Sequence, residues 1–192
     1  SMIRGPFALC ENATIKMGAK IYGATTIGPH SKVGGEVNNC VIFGYSNKGH
    51  DGFLGNSVLG EWCNIGADTN NSNLKNNYAE VRLWDYETEG FAKTGLQFCG
   101  LMLGDHSKCG INTMFNTGTV VGVSANIFGS GFPRNFIPSF SWGGSAGMIT
   151  YKTNKAFEVA KVVMSRRDIA FTEVDIQILE HIFKETSKWR KG

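Results

Sequence analysis

Proline is scarce, at 4 of 192 residues, and charged side chains make up only 18% of the chain. With 42% hydrophobic residues, that scarcity argues against a disordered or collagen-like chain. Runs of about 18 apolar residues are absent, so no membrane span is expected. Ser1–Ala8 lacks a charged stretch followed by an apolar one, so no secretory signal is expected either. The five cysteines (Cys10, Cys40, Cys63, Cys99, Cys109) contain no C-x-x-C pair. Neither a disulfide framework nor a zinc site is predicted, no metal is expected, and free thiols point to a cytoplasmic protein. A dense basic stripe is also missing. Net charge is +3; residues 1–150 carry 10 Lys+Arg and 10 Asp+Glu, and residues 151–192 carry 9 and 6. The excess sits in the tail, which reads as a solvated helix face, and no nucleic-acid partner is predicted. Ser1-Met2 has the look of a tag remnant, which leaves a longer native protein open.

What the chain has in excess is glycine, 25 residues, and it has a period. Ile3, Leu9, Ile15, Ile21, Ile27 and Val33 fall at a strict spacing of six, each followed four positions later by Phe7, Ala13, Ala19, Thr25, Ser31 and Val37, mostly small. The pattern returns at Phe53, Leu59 and Ile65, and again at Leu103, Cys109, Phe115, Val121 and Ile127. A period of six fits neither a helix nor a plain alternation; it fits a hexapeptide β-helix, in which three hexads make a triangular turn of about 18 residues. The aliphatic residue points inward, the small one fits the corner, and Gly and Asn tolerate the corner backbone. The fold class is therefore an all-β solenoid, a parallel β-helix.

Two breaks, residues 38–52 and 70–100, read as loop excursions, the second holding Tyr78, Trp84, Tyr86 and Phe91. Loops on a rigid solenoid are where sites usually lie. The aromatic segment 132–144 has no period and is predicted to leave the coil and pack along it. After Thr150 the period turns helical. Ala156, Phe157, Ala160, Val163 and Met164 share one stripe. Thr172 with Asp175 forms a capping box with Asp in place of Glu or Gln. A second helix would turn Val174, Ile178, Leu179, Ile182 and Phe183 inward. The organisation predicted is a β-helix over residues 1–150 and a cap of two helices over residues 151–192.

The segment Lys48-Gly49-His50-Asp51-Gly52-Phe53-Leu54-Gly55, followed by Asn64-Ile65-Gly66-Ala67-Asp68-Thr69, resembles left-handed β-helix acyltransferases. It is most similar to the C-terminal acetyltransferase domain of bifunctional sugar-1-phosphate nucleotidyltransferases. The resemblance covers about residues 3–131; the two-helix tail is not part of the best-known members. It implies a left-handed coil, a homotrimer with sites between subunits, and acetyl-CoA as donor to the amine of an amino-sugar 1-phosphate.

His50 matches the family's catalytic histidine. An amine attacks a thioester only when neutral, the proton it sheds must leave, and an imidazole exchanges protons near neutral pH. Phe53 stands where the family has a substrate-contacting Tyr, keeping the ring and losing the hydroxyl. Asn64 and Asn73 match positions that hold sugar and acetyl groups, and an amide both donates and accepts. Either could instead simply turn a corner. For the phosphate, Lys75 and Lys48 are the substrate-binding candidates, with Lys32 and Arg82 nearby. The family's own basic positions are occupied by Cys10 and by Asn38-Asn39-Cys40, so its phosphate clamp is altered. For acetyl-CoA, main-chain groups at Gly110 and Gly129 would meet the pantetheine, and Lys108 or Arg134 the phosphates. His30, His106 and His181 read as structural or exposed. No nucleotidyltransferase signature is present, which fits an excised C-terminal domain. Two further readings stay open: a trimerisation or regulatory module of a nucleotidyltransferase without acyltransferase activity, and a sugar O-acetyltransferase.

Overall fold

The computed structural model describes residues 1–190. Short parallel strands stack in three faces around a common axis. The first face begins with Met2–Arg4, Lys20–Tyr22, Glu36–Asn38 and Phe53–Gly55, and Asn70–Asn71 and Met114–Phe115 carry it on. The second holds seven strands, from Phe7–Leu9 to Phe136–Ile137. The third runs from Thr14–Ile15 through Lys32–Val33 and Asn47–Lys48, crosses Asn64 by single bridges, and continues to Lys108–Cys109, Asn126–Ile127 and Ser141–Gly144. Met2 pairs with Lys20, Phe7 with Thr25 and Thr14 with Lys32, so each of the first turns takes three full hexads. The architecture is a left-handed parallel β-helix, with Ile21, Val33, Val37, Ile42, Leu59, Phe115 and Ile127 buried on its axis.

One of the two expected excursions is not one. Residues 38–52 stay in the coil: Thr26 pairs with Val41 and Lys32 with Asn47, both closer along the chain than three hexads. Turns shortened at their corners shift the phase, so the inward positions run Val33, Val37, Ile42, Lys48 and Leu54, and the hexad rule loses them. Phe53, expected inward, is half-buried beside the inward Leu54. The second excursion is real from Ser72 to Gly100, and its centre is an antiparallel hairpin of Arg82–Asp85 with Gly90–Lys93. Residues 132–144 do not leave the coil as expected. Val120 pairs with Phe136 and Asn126 with Trp142, making this segment the last turn.

The corners after the second face form a column of left-handed residues, with φ of 54° at Asn12, 58° at His30, 58° at Tyr45, 61° at Trp62, 60° at His106, 54° at Ser124 and 56° at Phe140. Equal backbone conformation in successive turns stacks the side chains. His30, Tyr45, Trp62 and His106 form a ladder with centroid separations of 4.8, 4.2 and 6.2 Å, the first two near the spacing of paired strands. Phe140 ends the column and seats the helices. Helix α1 (Thr153–Ser165) buries Ala156, Ala160 and Met164. Helix α2 (Glu173–Glu185) starts on the Thr172–Asp175 capping box, buries Leu179, and sets Phe183 edge-on to Phe140 at 5.1 Å. Val174 and Ile178, expected inward, are 62% and 53% exposed, because α2 meets the coil only along its Leu179–Phe183 edge.

Gly100 returns the hairpin excursion to the coil. A Cβ there would overlap the Gly55 carbonyl oxygen, the Asn71 side-chain amide and the Ser57 hydroxyl. Gly100→Ala is expected to lower stability by about 1–3 kcal/mol, read as a lower urea midpoint. Gly49→Ala, where a Cβ meets nothing, should stay within about 0.5 kcal/mol. Equal midpoints for the two variants would contradict the close approach.

Candidate active site

His50 sits at the corner where the third face passes to the first, between Asn47–Lys48 and Phe53–Gly55, with its side chain exposed. Its backbone is held from inside. Lys48 occupies an inward position and is 1% exposed. Its ammonium donates to the His50 carbonyl at 2.7 Å and the Gly34 carbonyl at 3.0 Å. Burial pulls the amine down to about 8, against a partial pull upward from Asp51. Lys48, expected to meet the acceptor, is instead a strut under the His50 corner.

Asn70 pins the same corner. Its Oδ1 accepts from the Phe53 amide at 2.8 Å, and its Nδ2 donates to the Asp68 carbonyl at 3.0 Å. Asn71, 4% exposed, accepts from the Gly55 amide at 2.8 Å and donates back to the Gly55 carbonyl at 3.1 Å. These two amides replace ladder bonds where the coil meets the excursion, and sequence reading assigns them no role. Their signal is the run Asn70-Asn71 next to a break in the period.

Phe53 and Asn73 meet over Gly55: a Cβ on that glycine would touch both the Phe53 ring and Asn73 Nδ2. Asn73 donates to Asn56 Oδ1 at 2.8 Å. Among the described residues its own side-chain oxygen has no donor. Asn64 lies elsewhere, exposed on the third face between Asn47 and Lys108. The Lys108 ammonium donates to the His106 carbonyl at 2.8 Å, and burial lowers its pKa. Gly110 is at the next corner, and its main chain is engaged: its amide donates to Ile127, and its carbonyl accepts from Thr69 and Thr113. It offers close approach, not the free hydrogen-bonding groups expected of it. Gly129 is exposed with φ of 98° and open space around it.

Phe53 and Asn73 meet on the first face beyond the His50 corner, Asn64 and Lys108 lie on the third face before it, and Gly110 is at the same edge as His50 on a later turn. Lys75 and Arg134 are on neither face; both line a groove beside the hairpin, together with Arg82. The altered clamp positions have structural duties. Asn39 Oδ1 accepts from the Ala24 amide at 2.9 Å, and Cys40 is fully buried.

His106 closes the aromatic ladder. Burial first, and then Lys108, push its imidazole down to about 4, and among the described residues its buried Nδ1 has no partner. The unfolded chain takes up this proton near the ordinary value of about 6.5, whereas the folded chain refuses it until about 4. Stability is therefore full above the unfolded value and falls as pH drops towards 4, by up to about 3 kcal/mol. His106→Phe keeps the stacking and removes the titration. Urea melts from pH 7 to 4 should show wild type losing more stability than the variant; parallel curves would contradict this.

No protein-family model matches the chain, and no curated protein matches it. Among solved structures it aligns with a point variant of AntD, an N-acyltransferase from Bacillus cereus in complex with dTDP-4-amino-4,6-dideoxyglucose and coenzyme A. The alignment covers 82% of this chain and 87% of that one, at 13% identity and a TM-score of 0.53. The chain shares its fold with AntD. It also aligns with the acetyltransferase domain of PglB from Neisseria gonorrhoeae FA1090, over 76% of this chain, at 15% identity and a TM-score of 0.46. There it spans 57% of the matched chain's length. At these identities the likeness to AntD is one of fold.

Proposed function

We propose that this chain is an acyl-CoA-dependent N-acyltransferase that moves an acetyl group from acetyl-CoA to the amine of a phosphorylated amino sugar. The observation that carries this reading is the His50 corner: an exposed imidazole on a backbone fixed by a buried ammonium, with the Phe53 ring and the Asn73 amide on the adjoining face. When bound, acetyl-CoA supplies the activated acyl group. His50 takes the proton that the acceptor amine sheds on attacking the thioester; as the amide forms, the carbon–sulfur bond breaks and coenzyme A leaves as the thiol, protonated by His50. Phe53 offers an apolar face to the sugar ring, and Asn73 has an unused oxygen for a hydroxyl or the amine. Asn64 and Lys108 on the third face, and the open backbone at Gly129 just after it, are assigned to the donor. Glucosamine-1-phosphate and galactosamine-1-phosphate are the acceptors that the motif resemblance favours, in a domain belonging to a sugar nucleotidyltransferase. A homotrimer is the assembly that places a second subunit's coil against this exposed corner.

A second reading has its own support. Phe53 lacks the family hydroxyl, and Asn39 and Cys40 are spent on the corner and the core, as expected of a trimerisation module that has lost acyltransferase chemistry. Equilibrium dialysis against labelled acetyl-CoA separates the two. Saturable uptake of one acetyl-CoA per chain is expected for the enzyme. No saturable uptake at millimolar concentration would leave the scaffold.

A further inference from the structure

Beside the hairpin lies an open groove of about 650 Å³, lined by Lys75, Arg82, Phe91, Arg134, Asn135 and Phe136. Three cations converge on it: Lys75 from the start of the excursion and Arg82 from its hairpin, and Arg134 from the last turn, some fifty residues later. The part of the chain that holds them, residues 1–150, has no net charge. Among the described residues none of the three has a carboxylate within ion-pair distance; the ion pairs are Lys93–Glu80, Lys155–Glu158 and Lys188–Glu89. Lys75 donates only to the main-chain carbonyl of Glu80, at 3.0 Å.

The hairpin register adds to this concentration of charge. Arg82 is directly opposite Lys93, and Trp84 is directly opposite Phe91. Opposed residues and those two apart share a face, so Arg82, Lys93, Trp84 and Phe91 all project from one side. Like charges directly opposite destabilise a hairpin unless something anionic lies between them. Glu80 reaches Lys93 only at 3.9 Å and gives its other oxygen to the Gly95 amide. The same side faces the coil, where Trp84 stacks on Phe136 at 4.0 Å and 9°. That stack fixes the hairpin and leaves Phe91 45% exposed at the groove.

We propose that this groove binds the phosphates of a nucleotide, with Arg82, Arg134 and Lys75 on the phosphate oxygens and the base against Phe91. Guanidinium forks suit phosphate oxygens, and an exposed aromatic face suits a base. Two sources carry this chemistry: the nucleotide end of acyl-CoA, and the nucleoside diphosphate of a nucleotide-linked sugar. Choosing between them rests on the acyltransferase reading; the groove itself does not.

Calorimetric titration with inorganic pyrophosphate, ADP, thymidine diphosphate and coenzyme A tests it, on wild type, Arg82→Gln, Arg134→Gln, the double variant, Phe91→Ala and Lys161→Gln. All of these side chains are exposed or half-exposed, and thermal melts check folding. Each arginine removed should weaken the phosphate probes by about tenfold or more. Phe91→Ala should weaken the nucleotides and spare pyrophosphate, and Lys161→Gln, exposed on α1, should bind as wild type does. Loss confined to coenzyme A and ADP assigns the donor; loss confined to thymidine diphosphate assigns the nucleotide-linked acceptor. Unchanged affinities in the double variant, or no binding of any probe to wild type at millimolar concentration, would overturn the groove. Acetyl transfer that persists alongside such a result would leave the His50 reading standing, and intact groove binding without transfer would do the reverse.

Discussion

Replacing His50 by alanine is expected to slow acetyl transfer by about 10²–10⁴-fold and to leave the melting temperature where it is. The rate falls because the amine's proton loses its acceptor. Stability holds because the imidazole is exposed and the corner is built from the main chain, with the His50 carbonyl receiving the Lys48 ammonium at 2.7 Å. Alanine keeps that carbonyl. Single-turnover rates at saturating acetyl-CoA, with thermal melts of both proteins, check both halves. A variant that melts as wild type does and transfers at an undiminished rate would remove His50 from the chemistry.

The complementary outcome is expected at Lys48, two positions away. Lys48→Ala empties a buried position and leaves the Gly34 and His50 carbonyls without a donor. A loss of about 3–5 kcal/mol is expected from cavity and orphaned acceptors together. Lys48→Met keeps most of the stem and isolates the charge. In the folded chain the amine sits at about 8, in the unfolded chain at about 10.4. Between those values the unfolded state holds more protons, so the contribution of Lys48 to stability grows as pH rises, by up to about 3 kcal/mol. The buried thiols act in the opposite sense, because burial pushes Cys40 up to about 11 and Cys63 up to about 12. Their contribution is present below the ordinary thiol range and is lost as pH rises towards those folded values. The thiols are common to both proteins, but Cys40 and Cys109 feel the Lys48 charge, so the wild-type minus Lys48→Met difference reports the lysine together with its coupling to these two thiols. That difference should climb as pH rises from the folded value towards the unfolded one; a flat difference would show that Lys48 is not held charged against burial.

These two residues also show what was legible in the chain. The hexads from Ile3 to Val33 and from Leu103 to Ile127 reveal the coil because turns of three full hexads keep strict phase. Between Val33 and Leu54 the turns shorten, and one inward position is a lysine, so periodicity and hydrophobicity fail together. The last turn hides for a similar reason: Val120 pairs with Phe136, short of three full hexads. His30, Tyr45, Trp62 and His106 form a ladder that only the turn lengths reveal. His50 is legible from the motif around it, and the structure explains how its backbone is held without changing where it sits. The convergence of Lys75, Arg82 and Arg134 lies outside sequence reading, since the hairpin's fold and the last turn's register bring them together. On α2 the apolar stripe was legible, but not that the coil covers only one edge of it.

Mass spectrometry of the acceptor, after incubation with acetyl-CoA and wild-type or His50→Ala protein, tests acyl transfer most directly. Glucosamine-1-phosphate, galactosamine-1-phosphate, nucleotide-linked amino sugars and their hydroxyl analogues form the panel. The expected result is one added acetyl group on an amine, made by wild type and lost with His50→Ala. Acetylation of hydroxyl analogues alone, or of no acceptor at all, would contradict an N-acyltransferase built around His50.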